Sequence, residues 1–252
     1  ISNTTGGDGQ KIVLDVYPSS VRDLAGNLNQ GLLGLGQTVI EYPDVVPPEV
    51  NKIDIDFNNG VIRIFVTETV DATPANQTAD LRKVLIGNNE STSTYFDIYG
   101  STVLETDKPV FQITLTETLR VRAIRISSTT GGDGTPVKLN VLKGAFQDVA
   151  INKNVEIENI IAREINDSTA PAMISAQIFY STGIIHLTAN ETLETDVGSI
   201  KQQRLTVGNI SMVTQGHPFF VLDGASITRT DGVTITLQLT ESQRVAAIAF
   251  SG

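Results

Sequence analysis

Hydrophobic and polar residues alternate with a period of two along much of this chain. Ile62, Ile64 and Val66 interleave with Arg63, Phe65 and Thr67, and Ile185, Leu187 and Ala189 repeat the pattern. Ile113 and Leu115 alternate with Thr114 and Thr116, as do Val233, Ile235, Leu237 and Leu239 with their neighbours. Alternation rich in Val, Ile and Thr predicts half-buried strands of antiparallel sheets. Turn formers separate the runs: Asn58-Asn59-Gly60, Thr230-Asp231-Gly232, Gly7-Asp8-Gly9 and Gly132-Asp133-Gly134. No long amphipathic helix stands out. A short helical turn is expected in 116–124 and in 240–248, each opened by a Thr-Glu pair that suits an N-cap.

The pattern occurs twice. ISNTTGGDG (1–9) returns as ISSTTGGDG (126–134), and KIVLDVYPSSVRDLAGNLN (11–29) aligns without a gap with PVKLNVLKGAFQDVAINKN (136–154). YPDVVPP (42–48) faces INDSTAP (165–171), GVIRIFVTETVD (60–71) faces GIIHLTANETLE (183–194), and LIGN (85–88) faces LTVGN (205–209). FQITLTETLRVRAIRIS (111–127) faces ITLQLTESQRVAAIAFS (235–251). The period is about 125 residues, the size of a whole domain rather than of a solenoid unit.

The predicted class is all-β: tandem immunoglobulin-like sandwiches, without the Cys and Trp hallmarks of antibody domains. Pro43, Pro47, Pro48 and Pro171 mark where the pattern resets. Residues 1–46 are then the last strands of one module, 47–170 a complete module, and 171–252 the first strands of a third, to be completed by a segment equivalent to 1–46. The chain starts with a TTGGDG segment and ends where one is expected next. Two readings follow: two periods of a longer repetitive protein, or strand exchange between copies of this chain. The two ends of a sandwich strand of about eight residues lie some 25 Å apart, so self-closure is disfavoured. Head-to-tail insertion propagates as a filament. Mass on a denaturing gel separates the readings.

Composition narrows the function. The net charge of −10 argues against nucleic acid or an anionic membrane as the main partner. With no Cys and two His, thiolate and His-based chemistry are excluded or improbable. Forty per cent hydrophobic residues suffice for packed cores, and no apolar run approaches a membrane span. Ile1 at the start and the lack of a signal peptide suggest a processed chain or a window of a longer one. TTGGDG is neither a P-loop nor a dinucleotide fingerprint, and reads as a turn. Glu68 with Asp71, and Glu191 with Glu194, superficially suggest a glycosidase pair. Their recurrence in both periods points instead to a structural or surface role, so no enzyme is expected. Asp54 and Asp56, alternating with Ile53 and Ile55, read as a solvated face, and His186 as a surface residue. His217 reads as a loop residue, and Phe219 and Phe220 as core filling in preference to an exposed contact patch.

Several segments together resemble the tandem bacterial Ig-like (cadherin-like) repeats of large surface and secreted proteins. They are DSTAP (167–171), the strand ends TETVD and NETLE, ITLTE or LQLTE running into RVAAI, then TTGGDG and V-x-D-x-A-G-N. Val21 to Asn27 fits the last motif fully, whereas the copy at 146–152 departs at Ile151. The resemblance spans nearly the whole chain and implies a β-sandwich array serving as stalk, adhesin or fibre. It also implies calcium held near the linkers by hard oxygen ligands, for which Glu41 and Asp44, and Glu164, Asn166 and Asp167, are the candidates. Asp23, Asn27, Asp148 and Asn152 recur at matched positions and read first as an Asx turn. Six sequons, at Asn3, Asn76, Asn89, Asn166, Asn190 and Asn209, are candidate glycan sites, Asn76 and Asn89 foremost. The expected role is an extracellular or cell-surface structural repeat whose partners are identical copies end to end. The alternative is an adhesin segment binding a surface glycan or protein, which the scarcity of aromatics disfavours for sugars.

Overall fold

The alternating segments form strands in the computed structural model, which describes residues 5–88, 95–196, 198–208, 219–228 and 230–251, with 33–38 as backbone. Strand content is 38% against 13% helix, placing the chain in the mainly β class. Among the described residues no helix is long and apolar enough to cross a membrane. The chain divides into two compact units, Ile1–Asp167 and Ser168–Gly252.

The first unit opens with an antiparallel pair, β1 (Val13–Val16) and β2 (Leu32–Thr38). There follow β3 (Val50–Asp56), β4 (Val61–Asp71), β5 (Val84–Gly87), β6 (Phe96–Asp97), β7 (Thr102–Val103) and β8 (Lys108–Thr114). Then come β9 (Lys138–Val141), β10 (Gln147–Asp148), β11 (Ile157–Ile161) and β12 (Arg163–Ile165). One sheet runs β12-β3-β4-β8-β7, with β10 also paired to β4, and a second runs β11-β9-β5-β6. Ile53, Ile55, Ile62, Ile64, Phe111 and Ile113 from the first meet Val84, Ile86, Leu139 and Val141 from the second in one core. Among the described residues of this unit the strand pairings are antiparallel except that of β12 on β3. Two short helices, α1 (Ala75–Thr78) and α2 (Glu117–Arg125), lie in the connections. Thr116 caps α2 by accepting from the Leu119 N–H, as the Thr-Glu signal predicts.

Asp54 departs from expectation. It is buried, not solvated, because β12 adds alongside β3 and covers that edge. Arg163 straddles its carboxylate (Nη2 to Oδ2 2.8 Å), and Lys52 closes from the other side at 3.0 Å. Burial works against the charge on Asp54, but the hydrogen bonds and charges of Lys52 and Arg163 outweigh it, and its pKa lies below the ordinary value.

The second unit contains β13 (Met173–Phe179), β14 (Ile184–Leu193), β15 (Thr206–Val207), β16 (Phe220–Val221), β17 (Ser226–Ile227), β18 (Gly232–Gln238) and α3 (Glu241–Phe250). Its sheet runs β13-β14-β18-β17, and β15 pairs with β16. The pairing repeats that of the first unit residue for residue. Ala176 faces Leu187 as Ile53 faces Ile64, Ile185 faces Leu237 as Ile62 faces Ile113, and Ser226 faces Gln238 as Thr102 faces Thr114. Thr240 caps α3 in a full capping box with Gln243. The described residues of this unit include no counterpart of β9 to β12.

Candidate functional site

The candidate glycan positions divide by exposure. Asn76 is exposed on α1, Asn166 is exposed beyond β12, and Asn190 is exposed on β14 with its side-chain oxygen accepting from the Ala172 N–H. Asn3, Asn89 and Asn209 lie outside the described residues, as does His217. His186 is half-buried with Phe179 edge-on against it, ring centroids 5.1 Å apart. Phe219 is exposed, unlike the core position expected, whereas Phe220 stacks on Phe250.

The linker carboxylates are held by protein donors rather than gathered at one point. Glu164 accepts from the Val137 N–H at 2.6 Å and from the backbone and hydroxyl of Ser128. Glu41 accepts from the Ile12 N–H at 2.9 Å, the equivalent position in the preceding copy of the motif. Asp167 forms a 2.6 Å ion pair with Arg120, and the Asn166 carbonyl accepts from Asn58 Nδ2.

Asp44 alone of these candidates enters an acidic cluster. One carboxylate oxygen each of Asp44, Glu68 and Asp148 lies within 4.8 Å of the others. Strand β4 supplies Glu68, its partner β10 supplies Asp148, and the Pro-rich linker brings Asp44 over them. Glu68 Oε1 is buried without a hydrogen-bond partner. Burial, then the charges of Asp148 and Asp44, raise the Glu68 pKa above its ordinary value. In donor chemistry the trio could hold a hard divalent cation. Sequence reasoning singled out Asp44 and noted Glu68 and Asp148 separately. The β10–β4 pairing that unites them is a long-range contact with no local signal.

The recurring Asp and Asn residues lock turns. Asp148 accepts from the Asn152 N–H and Nδ2, and Asp23 accepts identically from Asn27. The Asn27 side chain, then its backbone, hold the Asp23 pKa low. Asn154 Oδ1 accepts from the Phe146 N–H while its Nδ2 donates to the Leu142 and Val155 carbonyls. Asn29 does the same with Val21, Tyr17 and Gln30. Val16 faces Leu32 as Val141 faces Ile157, and a register shift adjoins each pair. Residues 11–32 and 39–46 therefore share the turn locks and strand pairing of 136–169, but the counterparts of its buried apolar residues are exposed. Ile12 is 60% exposed, Leu14 56% and Val21 61%, whereas Val137 and Leu139 are 0% and Phe146 1%.

The second unit shows the opposite deficit. A groove between β13 and β15 is lined by Ala176, Ile178, Ile185, Leu187, Val207 and Leu222. In the first unit Ile53, Ile55, Ile62, Ile64 and Ile86 hold five of these positions, all fully buried. Tyr180 is 36% exposed where Phe57 is 0%. Arg244 binds Glu241 and the Tyr180 carbonyl as Arg120 binds Glu117 and the Phe57 carbonyl. The Arg120 side chain is 7% exposed and that of Arg244 29%. Neither a protein-family model nor a curated protein matches the chain.

Proposed function

We propose that this chain is a structural repeat of an extracellular or cell-surface fibre or stalk, built of immunoglobulin-like sandwiches joined head to tail. The observation that carries the reading is the recurrence of one strand register and one capped helix in the two units, and of one set of turn locks at 23–29 and 148–154. In support, the strand orders β3-β4-β8-β7 and β11-β9-β5 are those expected if these strands are A-B-E-D and G-F-C of a constant-type sandwich, with α2 then between E and F. Recurrent positions serve an array, because each module must present the same faces to its neighbours. The acidic surface keeps such an array soluble. The matched carboxylates lie in turn locks and linkers of both copies, which supports a mechanical rather than a catalytic role. Negative-stain electron microscopy of the concentrated chain is expected to show linear strings of evenly spaced beads. Monodisperse single particles at every concentration would sink the reading.

A further inference from the structure

We infer that the concave surface beside α1 in the first unit binds a neutral oligosaccharide, through side chains that the second unit lacks. The inference goes beyond the structural role proposed above and does not rest on it.

The groove has a volume of about 890 Å³ and is formed by α1, the single-turn helix Leu81–Lys83 and the turn from β6 into β7. That is the size of a small-molecule site. Asp80, Arg82, Tyr99, Ser101, Leu104 and Glu105 line it. Tyr99 is 60% exposed although the Arg82 guanidinium lies over its ring, 3.8 Å from the centroid. Among the described residues Arg82 has no ion pair, so its donors are open to a ligand. Asp80 uses one oxygen on the Arg82 N–H (3.1 Å) and Glu105 one on the Ala75 N–H (3.0 Å), which leaves the other oxygen of each to accept. The Ser101 hydroxyl oxygen is buried without a hydrogen-bond partner, an unfavourable state that a ligand hydroxyl relieves.

The second unit shows that the fold needs none of this. Ile86 pairs with Phe96 as Val207 pairs with Phe220, and the Ser101 N–H donates to the Ile98 carbonyl as the Ala225 N–H donates to that of Leu222. Tyr99 and Ser101 therefore correspond to Asp223 and Ala225. Leu81–Lys83 corresponds to Gln202–Arg204, so Arg82 stands where Gln203 does and Asp80 where Lys201 does. On one backbone plan the first unit carries an exposed aromatic and an unbonded hydroxyl, and the second a carboxylate and a methyl group. Recurrent positions serve the scaffold, whereas a concave set of polar groups that breaks the recurrence points to a ligand.

The chemistry of the set selects the class. Asp80 and Glu105 oppose an anion, and Arg82 opposes a cation. Carboxylate acceptors together with the Arg82 and Ser101 donors suit hydroxyl groups, which both donate and accept. The apolar surfaces of Tyr99 and Leu104 take the C–H face of a pyranose ring. The scarcity of aromatics in the chain as a whole does not weigh against a site that has its own.

The full chain is produced without glycosylation, because Asn76 also lines the groove. It is passed over immobilised neutral oligosaccharides of the gluco, galacto, manno and N-acetylhexosamine series, beside uronic-acid oligomers. Retention on at least one neutral series is expected. An R82Q/Y99D/S101A chain carries the second unit's residues at these positions. It is expected to keep the wild-type unfolding midpoint and to bind that series at least about tenfold more weakly. Y99A, which removes only an exposed ring, gives the same reading should the triple variant unfold more readily. A Y42A chain, altered at an exposed tyrosine outside the groove, is expected to bind like wild type. Retention on no neutral series, retention on uronic-acid oligomers alone, or a folded groove variant that binds as tightly as wild type would overturn the inference. Bead strings without sugar retention would overturn it and leave the array reading standing.

Discussion

Ile151 adopts the left-handed backbone conformation, φ 70°, that Gly26 adopts at φ 89° in the matching turn. The same exchange occurs at the other end of the motif, where Ser19 (φ 66°) stands opposite Gly144 (φ 78°). The Asp–Asn lock that closes the turn is present in both copies, so the fold imposes φ and the side chain tolerates it. A branched residue held there costs about 1–2 kcal/mol in backbone strain. Glycine returns about 0.5–1 kcal/mol of that as unfolded-state entropy.

Ile151→Gly should therefore stabilise the first unit by about 1 kcal/mol. Ile151 is half-exposed, so little buried area is lost. Urea unfolding of the variant should show a higher midpoint at unchanged slope. Gly26→Ile should do the reverse. A lower midpoint for the glycine variant would mean that the Ile151 side chain contributes more than its exposure allows.

Asn154 and Asn29 make the same three hydrogen bonds, one residue fully buried and the other half-buried. Asn154→Ala strands the buried Phe146 N–H, while the Leu142 carbonyl keeps the Ala145 N–H and the Val155 carbonyl belongs to an exposed residue, and should cost about 2 kcal/mol. Asn29→Ala leaves groups that water reaches and should cost about 1 kcal/mol or less in isolated chains. Urea unfolding of the two variants reads this difference.

The strands and the capped turns were legible in the sequence because each is local, and the duplication because those local signals recur in the same order. Period-two runs, Thr-Glu caps and the TTGGDG turn need a few neighbouring residues. Asp54 shows where such reading stops. Its alternation with Ile53 and Ile55 implies a wet face, and nothing nearby says that Arg163, over a hundred positions on, will add a strand beside it. The acidic trio was hidden for the same reason. Ile151 was visible as a departure from the motif, but its strain became apparent only from φ.

Arg120 and Arg244 offer a further comparison. Arg120 Nε and Nη2 grip Glu117, while Nη1 bonds the Phe57 carbonyl at 2.8 Å and Asp167 at 2.6 Å. Glu117, then Asp167, raise its already high pKa, so it stays charged throughout the accessible pH range. Arg120→Ala should cost about 2–3 kcal/mol, since it takes charged donors from the Phe57 carbonyl and from two half-buried carboxylates. Arg244→Ala should cost under about 1 kcal/mol, since its pair with Glu241 is exposed and screened. Chemical denaturation of both variants tests the ranking, and equal losses would contradict it.

Glu68 gives the chain a stability that depends on pH with a definite sign. Its carboxyl titrates above the ordinary glutamate value of 4.5 in the folded unit. Between the unfolded and folded values the native state binds more protons than the unfolded chain. The contribution of Glu68 is thus fully present below pH 4.5 and is lost as pH rises through the folded value. Glu68→Gln keeps the shape, removes that dependence and ends the repulsion from Asp148 and Asp44. Subtracting the wild-type stability from that of the variant at each pH isolates this one group from the other carboxylates. The difference should grow as pH rises from below 4.5 and level off above the folded value. Asp148→Asn should lower the folded value in the same experiment, since the charge of Asp148 is the second cause of the shift after burial. A difference that shrinks as pH rises would show that the Glu68 carboxylate is favoured in the folded unit, and that the trio does not repel.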